Sequence, residues 1–252
     1  MTLNRGQRQT ASAGARPPAA NTLAAALAAA LAAGAAENVQ AAPCPWSPPA
    51  TMQLEIVRAP LMEDFTRSAT ALTREAKPGT ASANGQLVLG LERAQAIATF
   101  RISAQVSRLA DGVYCAAPAS ITGKFGFQAM TVAVARELPQ GSCIFKEVLA
   151  HEMRHVAADL ETLAEFAPVA RQRMEEAAAR GGPVRGVAQA QVVAALDARL
   201  KAAMTAAVND FSRRRDQRQA AIDTKAEYDR VARACHGEVA RYLGPGAKGG
   251  HF

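Results

Sequence analysis

The chain has 252 residues, of which 49% are hydrophobic and 20% charged, and its formal net charge is +7. After residue 42, no segment is long and apolar enough to cross a membrane. Aromatic residues make up only 5% of the chain, which disfavours nucleic-acid binding despite the positive charge. We expect the densest basic run to be a solvated helix face, with contact to phosphate or anionic lipid as the alternative. The members of that run are Arg213, Arg214, Arg215 and Arg218.

Residues 1–42 have the features of a secretory signal peptide. Three arginines precede a short apolar run at 22–33, and small residues follow it up to an expected cleavage site between Ala36 and Pro43. Because Pro43 separates the small residues from Cys44, a lipoprotein anchor is not expected. The sequence therefore predicts a periplasmic or secreted protein, and an alanine-rich disordered tail is the alternative interpretation.

The next part of the chain has the pattern of a sheet. Short runs rich in β-formers are separated there by turn signals such as Asp111-Gly112, Pro118 and Gly123-Lys124. The expected strands are 52–57, 98–106, 112–116, 120–122 and 127–135, with a short helix at 61–75 and a loop at 77–85.

The second half of the chain has helical periodicity, because its apolar residues recur at intervals of three and four. Helices are expected at 144–166, 187–214 and 224–239, before a loose tail at 244–252. The predicted fold class is α+β: a small antiparallel sheet followed by a helical half, within a single domain of residues 43–243.

All four cysteines follow the predicted signal peptide, and an even number of cysteines in an exported chain indicates disulfides. Four cysteines allow three pairings. We expect Cys115–Cys143, which would connect a strand to the start of a helix, and Cys44–Cys235, which would fasten the mature N-terminus to the last helix.

The strongest chemical signal is His151-Glu152-Met153-Arg154-His155, an H-E-x-x-H pattern. On a helix, residues four apart lie on the same side, so that His151 and His155 can offer two imidazoles to one ion. Glu152 projects beside them and can act as a general base towards water at an open coordination position. The alternative is two histidines and a glutamate at the margin of a core helix.

A catalytic zinc needs a third protein ligand, and the sequence leaves its identity open. Glu227 is a candidate, with Asp223 orienting an imidazole and Tyr228 donating a hydrogen bond to a developing oxyanion. The competing interpretation is a capping box, T-x-x-E, in which Glu227 bonds the backbone at Thr224 instead. Asp159 lies about 12 Å along the helix axis from His151, which favours support of His155 over direct ligation.

Three segments together resemble an uncharacterised bacterial family of secreted zinc-dependent proteases. They are Tyr114-Cys115, Gly141-Ser142-Cys143 leading into EVLAHEMRHV, and IDTKAEYDRVARAC near the C-terminus. The resemblance implies a zincin-like fold with zinc on His151 and His155 and with Glu152 as the base. The extended metzincin pattern and a thermolysin-type Asn-Glu pair are both absent from this sequence.

These observations lead to two hypotheses of different class. The first is an exported zinc-dependent hydrolase, most simply a peptidase acting on a peptide or protein substrate. Under this hypothesis the strand at 130–135, next before the motif helix, is the candidate to pair with an extended substrate. The second is a periplasmic binding or envelope-associated protein that keeps a zincin-like scaffold without turnover.

Overall fold

The sheet has one long central strand, residues 114–134, with which the other described strands pair. The computed structural model describes residues 44–45, 49–76, 87–180 and 182–243. The predicted signal peptide, the loop at 77–85 and the tail at 244–252 therefore lie outside the described residues. The strands are β1 (Thr51–Arg58), β2 (Leu61–Asp64), β3 (Gly90–Arg108), β4 (Tyr114–Val134) and β5 (Val184–Gly186). The helices are α1 (Ala69–Glu75), α2 (Cys143–Ala179), α3 (Gln189–Ile222), α4 (Lys225–Gly237) and α5 (Val239–Leu243).

The sheet is mixed, so the predicted all-antiparallel sheet is wrong. β1 and β2 run parallel to β4, whereas β3 and β5 run antiparallel to it. The mixed class of helix and sheet is as expected, and the error lies in the strand connections. β1 and β2 both precede β3 in the sequence. The long β3–β4 hairpin then reverses the chain, so that β4 runs alongside β1 and β2 in the same direction as they do.

Two of the three turn signals that were expected to separate strands do not end a strand, whereas Asp111-Gly112 lies in the turn between β3 and β4. Pro118 and Gly123 both lie inside β4, and the four short strands expected from 98 to 135 are two long ones. The register between β3 and β4 shifts at Ser103/Ala104, opposite Pro118, which is how an antiparallel pair accommodates an irregular residue. At Gly126 the backbone has a φ of +142°, and an added Cβ would lie 2.1 Å from the carbonyl oxygen of Val57. Glycine is therefore required there for β1 to pair with β4.

The motif helix is longer than predicted. Ser142 caps α2, since its hydroxyl accepts a hydrogen bond from the backbone N–H of Phe145 at 3.2 Å. The helix continues past Pro168, a residue that costs a helix interior about 3 kcal/mol or more. The turns beyond Pro168 bury Ala170, Met174 and Ala178 against the core, and this packing maintains the helix.

Two apolar clusters meet at the motif. One joins the sheet to the middle of α2 and to α3, and includes Phe127, Val156 and Phe211. The other lies around the start of α2 and includes Val148 and Val231 of α4. His151, Glu152 and His155 lie between Val148 and Val156, and the motif side chains are therefore buried between the two clusters.

Both disulfides differ from the predicted pairing. Cys44 bonds Cys115, and Cys143 bonds Cys235. The prediction used sequence position alone, but the first turn of α2 packs beside α4, and this places Cys143 next to Cys235. The second disulfide therefore ties α4 to the helix that carries the motif.

Candidate metal centre

Three side chains converge on one point at the junction of α2, α3 and α4. The Nε2 atoms of His151 and His155 lie 3.1 Å apart. Asp223 Oδ1 lies 3.1 Å from Nε2 of His155 and 3.4 Å from Nε2 of His151. These residues form the one group of three or more His, Cys, Asp or Glu side chains, among the described residues, that could hold a metal ion. A site able to bind a metal is thus present, and its ligand atoms come from α2 and from the end of α3.

The spacing of the three atoms fits a small tetrahedral ion. Ligands about 2.0–2.1 Å from a tetrahedral centre are separated from one another by about 3.3–3.4 Å. The measured separations of 3.1, 3.1 and 3.4 Å are close to that value. Two imidazoles and one carboxylate also form a donor set of catalytic zinc sites, which leaves a fourth position open.

The third residue of the candidate metal site is Asp223, which differs from the ligand suggested by the sequence. The sequence favoured Glu227 as third ligand and Asp223 as orienting residue, but their positions are exchanged. Asp223 ends α3 as its C-cap, and its carboxylate faces both Nε2 atoms. Burial would raise the pKa of Asp223, but the hydrogen bonds from His151 and His155 hold it well below its usual range. The carboxylate is therefore ionised and ready to bind a cation.

Glu227 contacts the other side of His151. Its Oε1 lies 3.4 Å from Nδ1 of His151, and its carboxylate is held by Arg230 and Arg154. Hydrogen bonding to Arg230 is the main cause that holds the pKa of Glu227 below its usual range. Arg154 Nη2 lies nearer to the same nitrogen, at 3.0 Å, and can only donate, so that Nδ1 of His151 faces both a guanidinium and a carboxylate. The capping interpretation also holds in part, since Thr224 accepts from the backbone N–H of Glu227 at 3.2 Å.

His155 is oriented by a residue that the sequence analysis did not identify. Its Nδ1 contacts Oε1 of Gln219, and the amide nitrogen of Gln219 donates to the carbonyl oxygen of His155 at 3.2 Å. Gln219 also donates to Asp159, so that Asp159 reaches His155 through Gln219 and not directly. Arg215, Gln219 and Asp223 follow one another at intervals of four, and this spacing on one helix face was the available signal.

The basic run on α3 is mostly paired within the molecule. Arg215 binds the fully buried carboxylate of Asp159 through two hydrogen bonds of 2.7 Å. Arg218 donates to Thr162 and to Glu165, Arg213 pairs with Asp210, and Arg214 lies 3.6 Å from Glu165. Arg215 and Arg218 thus link α3 to the helix α2 that carries the histidines. The prediction of a solvated helix face therefore applies to only part of the basic run.

Glu152 is buried beside the two histidines and lacks a partner on one oxygen. Its side chain is 2% exposed, and its Oε1 has no hydrogen-bond partner among the described residues. Burial is the main cause that raises the pKa of its carboxyl to about 8. A Cβ at Gly90 would lie 2.2 Å from that oxygen, and only glycine allows β3 to pass so close to Glu152. The carboxyl therefore has a free oxygen and a proton affinity suited to acid–base work near neutral pH.

Tyr228 lies on the first turns of α4, with its ring centroid 6.2 Å from that of His151. Burial, and then the charge and a hydrogen bond of Asp223, raise the pKa of Tyr228 above its usual value. The hydroxyl stays protonated and acts as a donor. In this structure it donates a hydrogen bond to the carboxylate of Asp223.

A cleft of about 570 Å³ opens beside Glu152 and His155. One wall is the start of β3, residues 90–94, and the other is the last two turns of α3 with Asp223. Within the described ranges β3 pairs with β4 alone, so this wall is a sheet edge. The strand expected to lie at the edge, 130–135, belongs instead to β4, which is paired on both sides. The edge strand beside the motif is therefore β3.

No helix in the described part of the chain is long and apolar enough to cross a membrane. The two disulfides fit an extracellular or periplasmic protein. Comparisons of the chain with protein-family models, with curated proteins and with solved structures found no match.

Proposed function

We propose that the protein is an exported zinc-dependent hydrolase of zincin-like type, most simply a peptidase. The observation that carries the proposal is the convergence of His151, His155 and Asp223, with 3.1–3.4 Å between their ligand atoms. It is supported by Glu152, whose unpartnered oxygen lies on the cleft side of the histidines. A core helix with two marginal histidines would place neither a third ligand nor an unpartnered buried carboxyl oxygen there.

In this proposal each residue has a defined task. The two Nε2 atoms and Asp223 Oδ1 hold the ion, while Glu227 and Gln219 fix the histidine rings through their Nδ1 atoms. Bound zinc would supply a Lewis acid that polarises the scissile carbonyl and acidifies water. Glu152 takes the proton of the attacking water and passes it to the leaving amine. Tyr228, which donates to Asp223 in this structure, would redirect its hydroxyl towards the oxygen that becomes negative in the transition state.

The test compares the zinc-loaded wild type with Glu152→Gln on a mixture of fluorogenic peptides. We expect Glu152→Gln to keep one zinc per chain and to lose about 10²- to 10⁴-fold in kcat, because it removes only the base. Glu161→Gln is the matched control, since Glu161 lies exposed on the same helix. A fully active Glu152→Gln protein would contradict the mechanism. A zinc-loaded wild type without hydrolysis would favour the non-catalytic binding protein.

A further inference from the structure

The cleft beside the proposed metal centre is acidic in a protein that is basic overall. The chain has a formal net charge of +7, and its lysines and arginines outnumber its aspartates and glutamates by 29 to 22. Among the described residues that line the cleft, acidic side chains outnumber basic ones. The acidic ones are Glu75, Glu92, Glu152, Asp216 and Asp223, and the basic ones are Arg93 and Arg215.

Both arginines of the cleft already have carboxylate partners. Arg93 lies 2.9 Å from Glu75, at the rim. Arg215 binds Asp159 with both of its hydrogen bonds of 2.7 Å. Both guanidinium groups are therefore already paired with a carboxylate, and Arg215 also lies 3.6 Å from Glu92.

Glu92 is the carboxylate left without adequate compensation. Its side chain is 6% exposed, and its Oε1 has no hydrogen-bond partner in the described part of the chain. Its Oε2 lies 3.6 Å from Arg215, too far for a hydrogen bond. Burial is the main cause that raises the pKa of Glu92 to about 7, followed by the charge of the nearby Asp159. A cationic group placed against Oε1 would stabilise the ionised carboxylate, which is otherwise costly to bury. Glu92 stands on β3, the edge strand along which the cleft runs.

We propose that the cleft selects substrates carrying a cationic group, a protonated amine or a guanidinium, which Glu92 binds beside the metal centre. This inference rests on the proposed function and specifies its substrate class. Two parts of a peptide carry this chemistry: the N-terminal ammonium group and the side chain of lysine or arginine. The first would make the protein an aminopeptidase, and the second an endopeptidase selective for basic residues.

The test uses four small probes that share one metal-binding group and differ in the cationic groups they carry. Lysine hydroxamate and norleucine hydroxamate, each with a free or an acetylated α-amine, present the same metal-binding group with and without each cation. Their dissociation constants are measured by calorimetry on the zinc-loaded wild type, on Glu92→Gln, and on Glu63→Gln. Glu63 is exposed on β2 and does not line the cleft, so its variant is a control with the same change of charge.

We expect at least one cationic probe to bind about tenfold more tightly than acetyl-norleucine hydroxamate, as for a close buried charge pair. Glu92→Gln should bring this ratio close to one, and Glu63→Gln should preserve it. The probe that carries the preference identifies the α-amine or the side chain as the source. Equal binding of all four probes by the wild type, or a ratio that survives in Glu92→Gln, would overturn the inference and leave the metal centre intact. If the wild type binds no zinc, the proposed function fails first and the inference fails with it.

Discussion

Asp223 Oδ1 lies 3.1 Å from Nε2 of His155, although 68 residues separate them in the sequence. Asp223 is the C-cap of α3, and Thr224 is the N-cap of α4, so that the chain turns sharply at this point. The turn directs the carboxylate towards α2 and allows the next helix to bring Glu227 to the far side of His151. The C-cap at Asp223 and the N-cap at Thr224 thus place the proposed ligand, Asp223, and the orienting group, Glu227, on opposite sides of the His151 imidazole.

The first prediction separates the roles of these two carboxylates. Asp223→Ala should lower zinc affinity by more than about 100-fold, because it removes a ligand, whereas Glu227→Gln should lower it by about 10- to 100-fold. Competition with a chromogenic chelator measures both constants, and Glu161→Gln serves as the control. A larger loss in Glu227→Gln than in Asp223→Ala would return Glu227 to the ligand position that the sequence first suggested.

The second prediction concerns the close approach of β3 to the motif helix. Gly90→Ala should reduce kcat by about 100-fold, because a Cβ there would lie 2.2 Å from Glu152 Oε1 and force the base to move. Zinc content should stay at the wild-type value, since the three atoms nearest to the added Cβ all belong to Glu152, which is not a proposed ligand. Metal analysis and steady-state kinetics on the same sample provide the test. Unchanged kinetics would show that Glu152 does not act from its present position.

The sequence predicted what depends on local pattern. The H-E-x-x-H helix, its Ser142 cap and the Thr224 cap all follow from residues within one or two turns of each other. It could not predict the exchange of Asp223 and Glu227, because their roles depend on the angle at which α4 leaves α3. The disulfide pairing and the parallel strands depend on contacts between distant segments, which no periodicity encodes.

The third prediction uses the two disulfides as a matched pair. Removing Cys143–Cys235 by double substitution to serine should lower both the free energy of unfolding, by about 2–5 kcal/mol, and the zinc affinity. The zinc affinity falls because α4, which carries Glu227, loses its covalent link to α2. Removing Cys44–Cys115 should lower the unfolding free energy by a similar amount and leave the zinc affinity unchanged, since neither cysteine adjoins the site. Equal losses of zinc affinity in the two variants would contradict a positioning role for the Cys143–Cys235 disulfide.

The fourth prediction concerns the pH dependence of the metal-free protein. Burial raises the pKa of Glu152 from 4.5 to about 8. Burial alone would lower the pKa of His155, but the hydrogen bond and charge of Asp223, with Gln219, raise it from 6.5 to about 9. Both groups bind their proton more tightly in the folded than in the unfolded protein, so that the free energy of unfolding decreases as the pH rises.

The contribution of His155 is complete below pH 6.5 and is lost as the pH passes about 9, and that of Glu152 falls between pH 4.5 and about 8. Urea unfolding in EDTA, at steps from about pH 5 to 9, measures the trend. Zinc should reverse it, because the metal competes with the proton on His155 and binds more tightly as the pH rises. A metal-free protein whose stability increases over this range would show that neither group holds its proton as described.

The most direct test of the central claim is the metal content of the purified protein after dialysis against zinc at neutral pH. The wild type is measured beside His151→Ala, His155→Ala and the control Asp210→Asn, whose carboxylate pairs with Arg173 and Arg213 away from the site. We expect about one zinc per chain in the wild type and in the control, and none in either histidine variant. Zinc retained in His155→Ala, or absent from the reconstituted wild type, would contradict a metal centre at His151, His155 and Asp223.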